Sequence, residues 1–406
     1  MSEAVAAAGT GRGSALDVFR IFLRLGLTSF GGPVAHLGYF RAEFVARRKW
    51  LDEGAFADIV ALCQFLPGPE SSQVAISTGM LRAGLAGGLA AWLGFTLPSA
   101  LALIAFGYGV ARFGDLSHAA WLHGLKIVAV AVVANALWGM ARTLCPDKER
   151  ATIAVGAALL ASALPSALGQ VGAIAAGGLI GWSWLTAAPR GAGAPIAVAV
   201  PRALSLAALA LFFVLLGGLP LLREASGSQA IAEFDSFYRS GALVFGGGHV
   251  VLPLLQAEVV PPGWVSNDAF LAGYGAAQAV PGPLFTFAAY LGTAMGPTPH
   301  GWLGGLLCLV AIFLPSPLLL IGALPLWDTL RRQGAVQAGL NGINAAVVGL
   351  LLAALYNPVW TSAIFAPRDF AIGLVAFILL ALWRVPPWLV VILGAVATAL
   401  VATVTQ

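Results

Sequence analysis

Two short motifs break apolar stretches of this chain, and each occurs twice. Phe30-Gly31-Gly32-Pro33 is answered by Phe245-Gly246-Gly247-Gly248, and Pro67-Gly68-Pro69 by Pro281-Gly282-Pro283. Glycine takes left-handed backbone angles and can leave its N–H bare. Proline suits the first turn of a new helix, where a missing N–H costs nothing. Helix amino termini carry partial positive charge and free N–H donors, so they bind anions. Four half-helices beginning near 33, 69, 249 and 283 would therefore present donors for an oxyanion. Breaks of this kind survive in a bilayer only where they line an enclosed or wet cavity.

Polar side chains beside the breaks extend the same chemistry. Arg24 and Arg239 hold matching places ahead of Phe30 and Phe245. At about 1.5 Å of rise per residue, each starts roughly 9 Å from its break. A symmetric guanidinium clamp on a central anion is one reading, and snorkelling to the interface is the other. Glu70 opens the half-helix after Pro69, where a carboxylate is a good helix-end residue and also a candidate for proton coupling. Leu284 holds the matching place, so that role would belong to one half. Gln64, Gln278, Ser71 and Ser72 offer neutral hydrogen bonds to an anion, as do Gln73, Thr286, Ser99 and Ser316; the alternative for each is a helix–helix contact. His36 and His249 lie beside the glycine breaks as candidates for proton handling. Glu43 and Glu258 are matched residues expected to partner nearby basic groups.

Composition decides what kind of molecule positions these groups. The chain has 406 residues, of which 59% are hydrophobic and 9% charged, with a mean hydropathy of +0.90. Soluble domains carry about a quarter charged residues, so a soluble enzyme, a disordered chain and a nucleic-acid binder are excluded. What remains is an all-α polytopic membrane protein in a lipid bilayer. The net charge of +4 gives no reason for a nucleic-acid partner. Cys63, Cys145 and Cys308 are too scattered for a disulfide framework or a metal site. No H-E-x-x-H, nucleophile–base or P-loop pattern is present, so neither an enzyme nor an ATP-driven pump is expected, and no cofactor or metal is called for.

The repeat extends beyond the breaks. Residues 87–99 match 304–316, and 124–137 match 339–352, in the same order and at a nearly constant offset. Each half reads as two broken elements and four long helices. In the first half these are 15–49 and 54–83, then 85–110, 120–141, 151–165 and 168–187. In the second they are 234–258 and 267–296, then 301–326, 336–356, 367–384 and 386–404. A helix over about 203–222 joins them. The resulting division is a cytosolic tail (1–14), a first repeat (15–190), a linking segment (191–225) and a second repeat (226–406).

Basic residues, which collect in cytoplasmic loops, favour broken elements that re-enter over ones that cross. With re-entrant hairpins and a cytosolic amino terminus, Arg12, Arg41, Arg47, Arg48, Lys49, Arg82, Arg142, Lys148, Arg150, Arg190, Arg202, Arg331, Arg332 and Arg384 are cytosolic, and Arg112, Arg223 and Arg368 are outside. The expected fold is two inverted-topology repeats, each with two re-entrant hairpins and four transmembrane helices, joined by one linking helix. Inverted repeats with discontinuous helices recur in secondary transporters, with the substrate held at mid-membrane.

FGGP at 30–33, LPGPE at 66–70 and the FGGG and PGP pair of the second half resemble the chromate ion transporter family, over about 16–400. The resemblance implies export of chromate across the bacterial inner membrane and resistance to chromate. It carries the family's motif positions onto Phe30, Gly31, Gly32, Pro33, Pro67, Gly68 and Pro69, and onto Phe245, Gly246, Gly247, Pro281, Gly282 and Pro283. Gly248 departs from the first-half pattern, which has Pro33 in that place. Chromate and sulfate are both tetrahedral dianions, so a sulfate or other oxyanion carrier, or a channel, remains the alternative. A homodimer is compatible with the sequence.

Overall fold

The computed structural model describes residues 13–112, 120–186, 200–330 and 332–404. The expected cytosolic tail, apart from its last two residues, lies outside them, as do Arg190 and Arg331. The described residues are helical with no strand, and five helices are long and apolar enough to cross a membrane: Glu70–Val110, Ala120–Leu144, Arg202–Ser226, Gly301–Leu326 and Gly334–Trp360. The protein is an all-helical, multi-pass membrane protein.

Element by element, the chain follows the expected order. Helix α1 (Ala15–Thr28) ends before the first FGG break, and α2 (Gly32–Phe40) begins inside it. A π-helical turn (Arg41–Arg47) closes this arm. Helix α3 (Glu53–Phe65) runs to the first PGP break, and α4 (Glu70–Arg112) starts directly after it. Two long helices, α5 (Ala120–Leu144) and later α16, have matching places in the two halves. After α5 come α6 (Lys148–Ala163), α7 (Ala167–Trp184) and the linking helix α8 (Arg202–Ser226).

The second half repeats the plan with softer breaks. Helix α9 (Gln229–Ala242) leads to the second FGG break, which passes through a 3-10 turn (Gly248–Val250) before α10 (Val251–Val259). Gly248 stands where Pro33 starts α2 outright. Helix α11 (Asn267–Ala277) precedes the second PGP break, followed by a 3-10 turn (Leu284–Thr286) and α12 (Phe287–Ala294). Then come α13 (Gly301–Phe313), α14 (Pro315–Ala323), the short α15 (Trp327–Leu330), α16 (Gly334–Ala354), α17 (Pro367–Ala381) and α18 (Pro387–Val404).

α4 is continuous in name only. Ala83 and Gly84 leave helical geometry (Gly84 φ 64°), and the chain folds back there. A methyl on Gly79 would strike the Gly87 carbonyl, and one on Gly88 would strike Met80. Glycines at facing places let the two segments of α4 lie side by side, the small-residue packing expected in lipid. α1 crosses the second segment in the same way, with Gly26 against the carbonyls of Gly94 and Phe95; matched Gly241 of α9 meets the carbonyl of Ile312 on α13.

Contacts tie the ends of several elements together. The Gly13 N–H donates to the Arg82 carbonyl (3.1 Å), and the Arg82 guanidinium lies 5.2 Å over the Trp50 ring. Arg41 Nε donates to Glu53 (2.9 Å). The start of α1, the chain after α2, the start of α3 and the turn of α4 therefore gather at one end. In the second half the Gly296 N–H donates to the Trp264 carbonyl (3.0 Å), and Arg223 lies over the Trp264 ring (5.9 Å). Near the far end of α4, the Tyr108 hydroxyl accepts from the Trp302 N–H (2.9 Å), joining it to the start of α13.

Packing also crosses between halves. α5 packs against α17 and α18 of the second half, and α16 packs against α6 and α7 of the first.

Candidate functional site

The breaks hold each other. The Gly68 N–H of the first PGP turn donates to the Val244 carbonyl (2.7 Å), just ahead of the second FGG break. The Gly282 N–H of the second PGP turn donates to the Ser29 carbonyl (2.9 Å), just ahead of the first. One half's PGP therefore clasps the other half's FGG, and the exchange is reciprocal. These two amides were expected to stand bare towards a guest; they are engaged by carbonyls instead, since each lies in reach of a break whose own helix has ended.

The clasp explains why both positions are glycine. Gly68 has φ 124° and Gly282 φ 98°, which other residues adopt only under strain. Space forbids a side chain as well. A Cβ on Gly68 would stand 2.5 Å from Ser316 Oγ, and one on Gly282 would stand 2.9 Å from Ser99 Oγ. Ser99 and Ser316 are matched serines, and each seats the glycine of the opposite half.

The two FGG breaks meet beside this clasp. A Cβ on Gly32 would lie 3.9 Å from His249 Nε2, and one on Gly248 would lie 3.5 Å from Pro33 Cγ. A Cβ on Gly246 would lie 3.5 Å from Asn344 Oδ1. Phe30 reaches the Trp388 ring (5.9 Å). Side chains cap some helices that start away from the breaks: Ser14 caps α1, Asp52 α3, Asp147 α6, Ser166 α7 and Ser266 α11, while α8, α9, α13, α14 and α16 have no such cap. α2, α10 and α12, which follow breaks, have none. α10 and α12 continue 3-10 turns whose carbonyls accept from the Val251 and Phe287 N–H groups, so α2 is the one of the three that starts directly at its break without a cap.

Unsatisfied polar atoms lie near the breaks. Ser29 Oγ, Glu70 Oε1, Ser72 Oγ, Gln73 Oε1, Gln278 Nε2, Ser316 Oγ and Asn344 Oδ1 are buried without a hydrogen-bond partner. Buried polar atoms are ordinarily satisfied; others of this kind lie elsewhere, among them Gln170 Oε1, Glu233 Oε2 and Gln337 Nε2. Gln64 is exposed and hydrogen-bonds Glu70. Ser71 is buried on the first turn of α4. Gln73 Nε2 donates to the Pro67 carbonyl (2.8 Å) and Thr286 Oγ1 to the Pro283 carbonyl (2.7 Å). Buried His36 places Nε2 3.2 Å from the Ser29 carbonyl, the one Gly282 also engages.

The two arginines, matched in sequence, differ in surroundings. Arg24 lies on the exposed face of α1. Arg239 pairs with Asp235 (2.8 Å) and Glu258 (3.2 Å), and Asp235 also faces Arg223 (3.5 Å). The two guanidinium groups thus stand in different settings, one exposed and one paired with carboxylates. Glu43 pairs with Arg47 (2.7 Å) and Arg48 (2.6 Å), so both matched glutamates do partner basic groups.

Asn344 and Tyr274 escaped the sequence reading. An amide within the apolar run of α16 is the signal that would have found Asn344; nothing in the sequence singles out Tyr274. Away from the breaks, a cleft of about 400 Å³ between α4 and α13–α14 is lined by apolar residues including Ile76, Met80, Trp92, Phe313 and Ile321. Its walls offer an anion almost nothing. Among the described residues no group of His, Cys, Asp and Glu could hold a metal ion.

Comparison with known proteins adds an independent line. The family model described as "Chromate transporter" matches residues 16–182 and 231–399, one stretch in each half. A chromate transport protein of Pseudomonas aeruginosa is 30% identical over 344 residues, covering 82% of this chain and 79% of that protein. A probable chromate transport protein of Synechococcus elongatus is 25% identical over 409 residues, covering 93% of each. An uncharacterized transporter of Bacillus subtilis is 34% identical over 125 residues, which are 30% of this chain and 68% of that shorter protein. No solved structure matches.

Proposed function

The chain belongs to the chromate transporter family, and from that premise we propose that it is a secondary carrier that binds chromate where its two FGG breaks meet. The observation that carries this reading is the reciprocal clasp of Gly68 on Val244 and of Gly282 on Ser29. Matched breaks drawn together, with the uncapped start of α2 and unsatisfied polar atoms around them, suit a multivalent oxyanion. Gly31, Gly32 and Pro33 of one half and Gly246, Gly247 and Gly248 of the other would face the anion. Pro67, Gly68, Pro69, Pro281, Gly282 and Pro283 would hold that junction together.

In this reading the arms are re-entrant hairpins, the first half's opening to the cytosol and the second half's to the outside. The gathering of Gly13, Trp50 and Arg82 at one end supports it, as does the link from Tyr108 at the far end of α4 to Trp302 at the second half's mouth. Glu70, held by Gln64 at a helix start, is the proposed coupling site for protons. Its charge would repel a dianion, and its protonation would admit one. Export from the cytosol of a bacterium, with resistance as the outcome, completes the proposal.

Reconstitution tests it. Proteoliposomes holding the purified protein should take up chromate saturably, with sulfate as a weaker or equal competitor. If neither chromate nor sulfate moves, the proposal fails; if flux never saturates, a channel replaces the carrier.

A further inference from the structure

A histidine–tyrosine pair lies at the junction of the FGG breaks. His249 sits in the 3-10 turn after Gly247, and its Nδ1 is 2.8 Å from the Tyr274 hydroxyl. Tyr274 belongs to α11 and is 0% exposed, its ring edge-on to Phe287 at 5.8 Å. A buried hydroxyl proton needs an acceptor. Among the described residues His249 Nδ1 is the group at hydrogen-bond distance from that hydroxyl, so we assign the hydroxyl as donor and Nδ1 as acceptor. With Nδ1 accepting, the proton of the neutral imidazole sits on Nε2.

Nε2 is turned to the other half. It lies 3.9 Å from where a Cβ on Gly32 would stand. There α2 begins behind a left-handed Gly31 (φ 101°), with no side-chain cap. The ring thus aims an N–H at the place where an uncapped helix start presents its own donors.

Resting on the proposed oxyanion site, we infer that His249 is a substrate-contacting residue that donates Nε2–H to a tetrahedral oxyanion at the start of α2, and that Tyr274 is the positioning residue that fixes its tautomer. A neutral donor suits a carrier, because it recognises the anion without the tight ion pair that would slow release. Donors held by a second group lose little freedom on binding, which favours affinity.

Amide substitutions separate the two ring nitrogens. Glutamine carries its NH₂ near the place of Nε2, and asparagine near that of Nδ1. In proteoliposomes His249→Gln should keep a chromate KM within a few-fold of wild type. His249→Asn should raise KM about tenfold or more, the size of a lost hydrogen bond to a charged group. Tyr274→Phe should raise KM with a smaller change in maximal rate. Asparagine is also the smaller side chain, so His249→Met, similar in size to glutamine but without an N–H, is the control: it should raise KM as asparagine does, and a KM like that of His249→Gln, or equal KM values for wild type and His249→Asn, overturns the inference. Nitrogen NMR of histidine-labelled protein tests the tautomer without transport. The His249 signal, assigned by its loss in His249→Gln, should report Nε2–H in wild type and a mixture in Tyr274→Phe. A wild-type Nδ1–H tautomer overturns the assignment even if chromate moves. A wild type that moves no oxyanion while showing Nε2–H overturns the substrate role and the proposed function together, and leaves the tautomer standing.

Discussion

Arg24 and Arg239 occupy matched places, yet their surroundings predict opposite behaviour. Asp235 is 2% exposed and paired with Arg239. Removing the guanidinium leaves a buried carboxylate with only the more distant Arg223. Arg239→Ala should therefore lower stability by about 3 kcal/mol, the usual cost of breaking a buried pair from one side, while exposed Arg24→Ala should cost less than about 0.5 kcal/mol. Thermal unfolding in detergent measures both, and equal effects would contradict the difference read here. Glu70 makes a functional prediction at the same scale. Transport by Glu70→Gln should lose the pH dependence seen in wild type, and an identical pH profile would remove Glu70 from coupling. The matched arginines were legible in the sequence, because repeat offset alone finds them. Their environments were not, because Asp235 has no acidic counterpart at Arg20 and the pairing depends on how α8, α9 and α10 meet.

Elements were the most legible level. Glycine and proline punctuate the chain where backbone geometry must change, so the ends of α1, α3, α9 and α11 fall where the motifs stand. Even the turn within α4, at Ala83 and Gly84, lies between the two segments that hydropathy separated. What sequence could not supply was the partner of each break. The bonds from Gly68 to Val244 and from Gly282 to Ser29 join residues far apart in the chain, and no local propensity encodes them. Both second-half breaks pass through a 3-10 turn before the next helix, the one at Gly248 and the one after Pro283 alike, and the sequence offers no sign of the second. Direction of the hairpins is testable with single cysteines in a background lacking Cys63, Cys145 and Cys308. A cysteine at exposed Lys49 should be labelled from the cytosolic face, and one at exposed Pro262 from the opposite face. Labelling of both from the same face would rule out hairpins that open in opposite directions.

Across the whole molecule, the halves are bound together by exchange. α5 lies against α17 and α18, and α16 lies against α6 and α7, so neither half surrounds its own long helix. A chain cut between residues 187 and 199 should remain active when both pieces are produced together. Either piece alone should fail to accumulate in the membrane; a stable single half would show that the exchange is dispensable.

Equilibrium binding of radiolabelled chromate to the purified protein probes the junction of the breaks most directly, with Gly68→Ala and Gly282→Ala set against Gly217→Ala. Gly217 lies in α8 with nothing within 4 Å of an added Cβ, so its variant should bind as wild type does. The other two force a methyl against Ser316 and Ser99 at backbone angles alanine resists, and saturable binding should fall at least tenfold while the protein stays folded. Unchanged chromate binding in folded Gly68→Ala and Gly282→Ala proteins would show that the anion is held somewhere else.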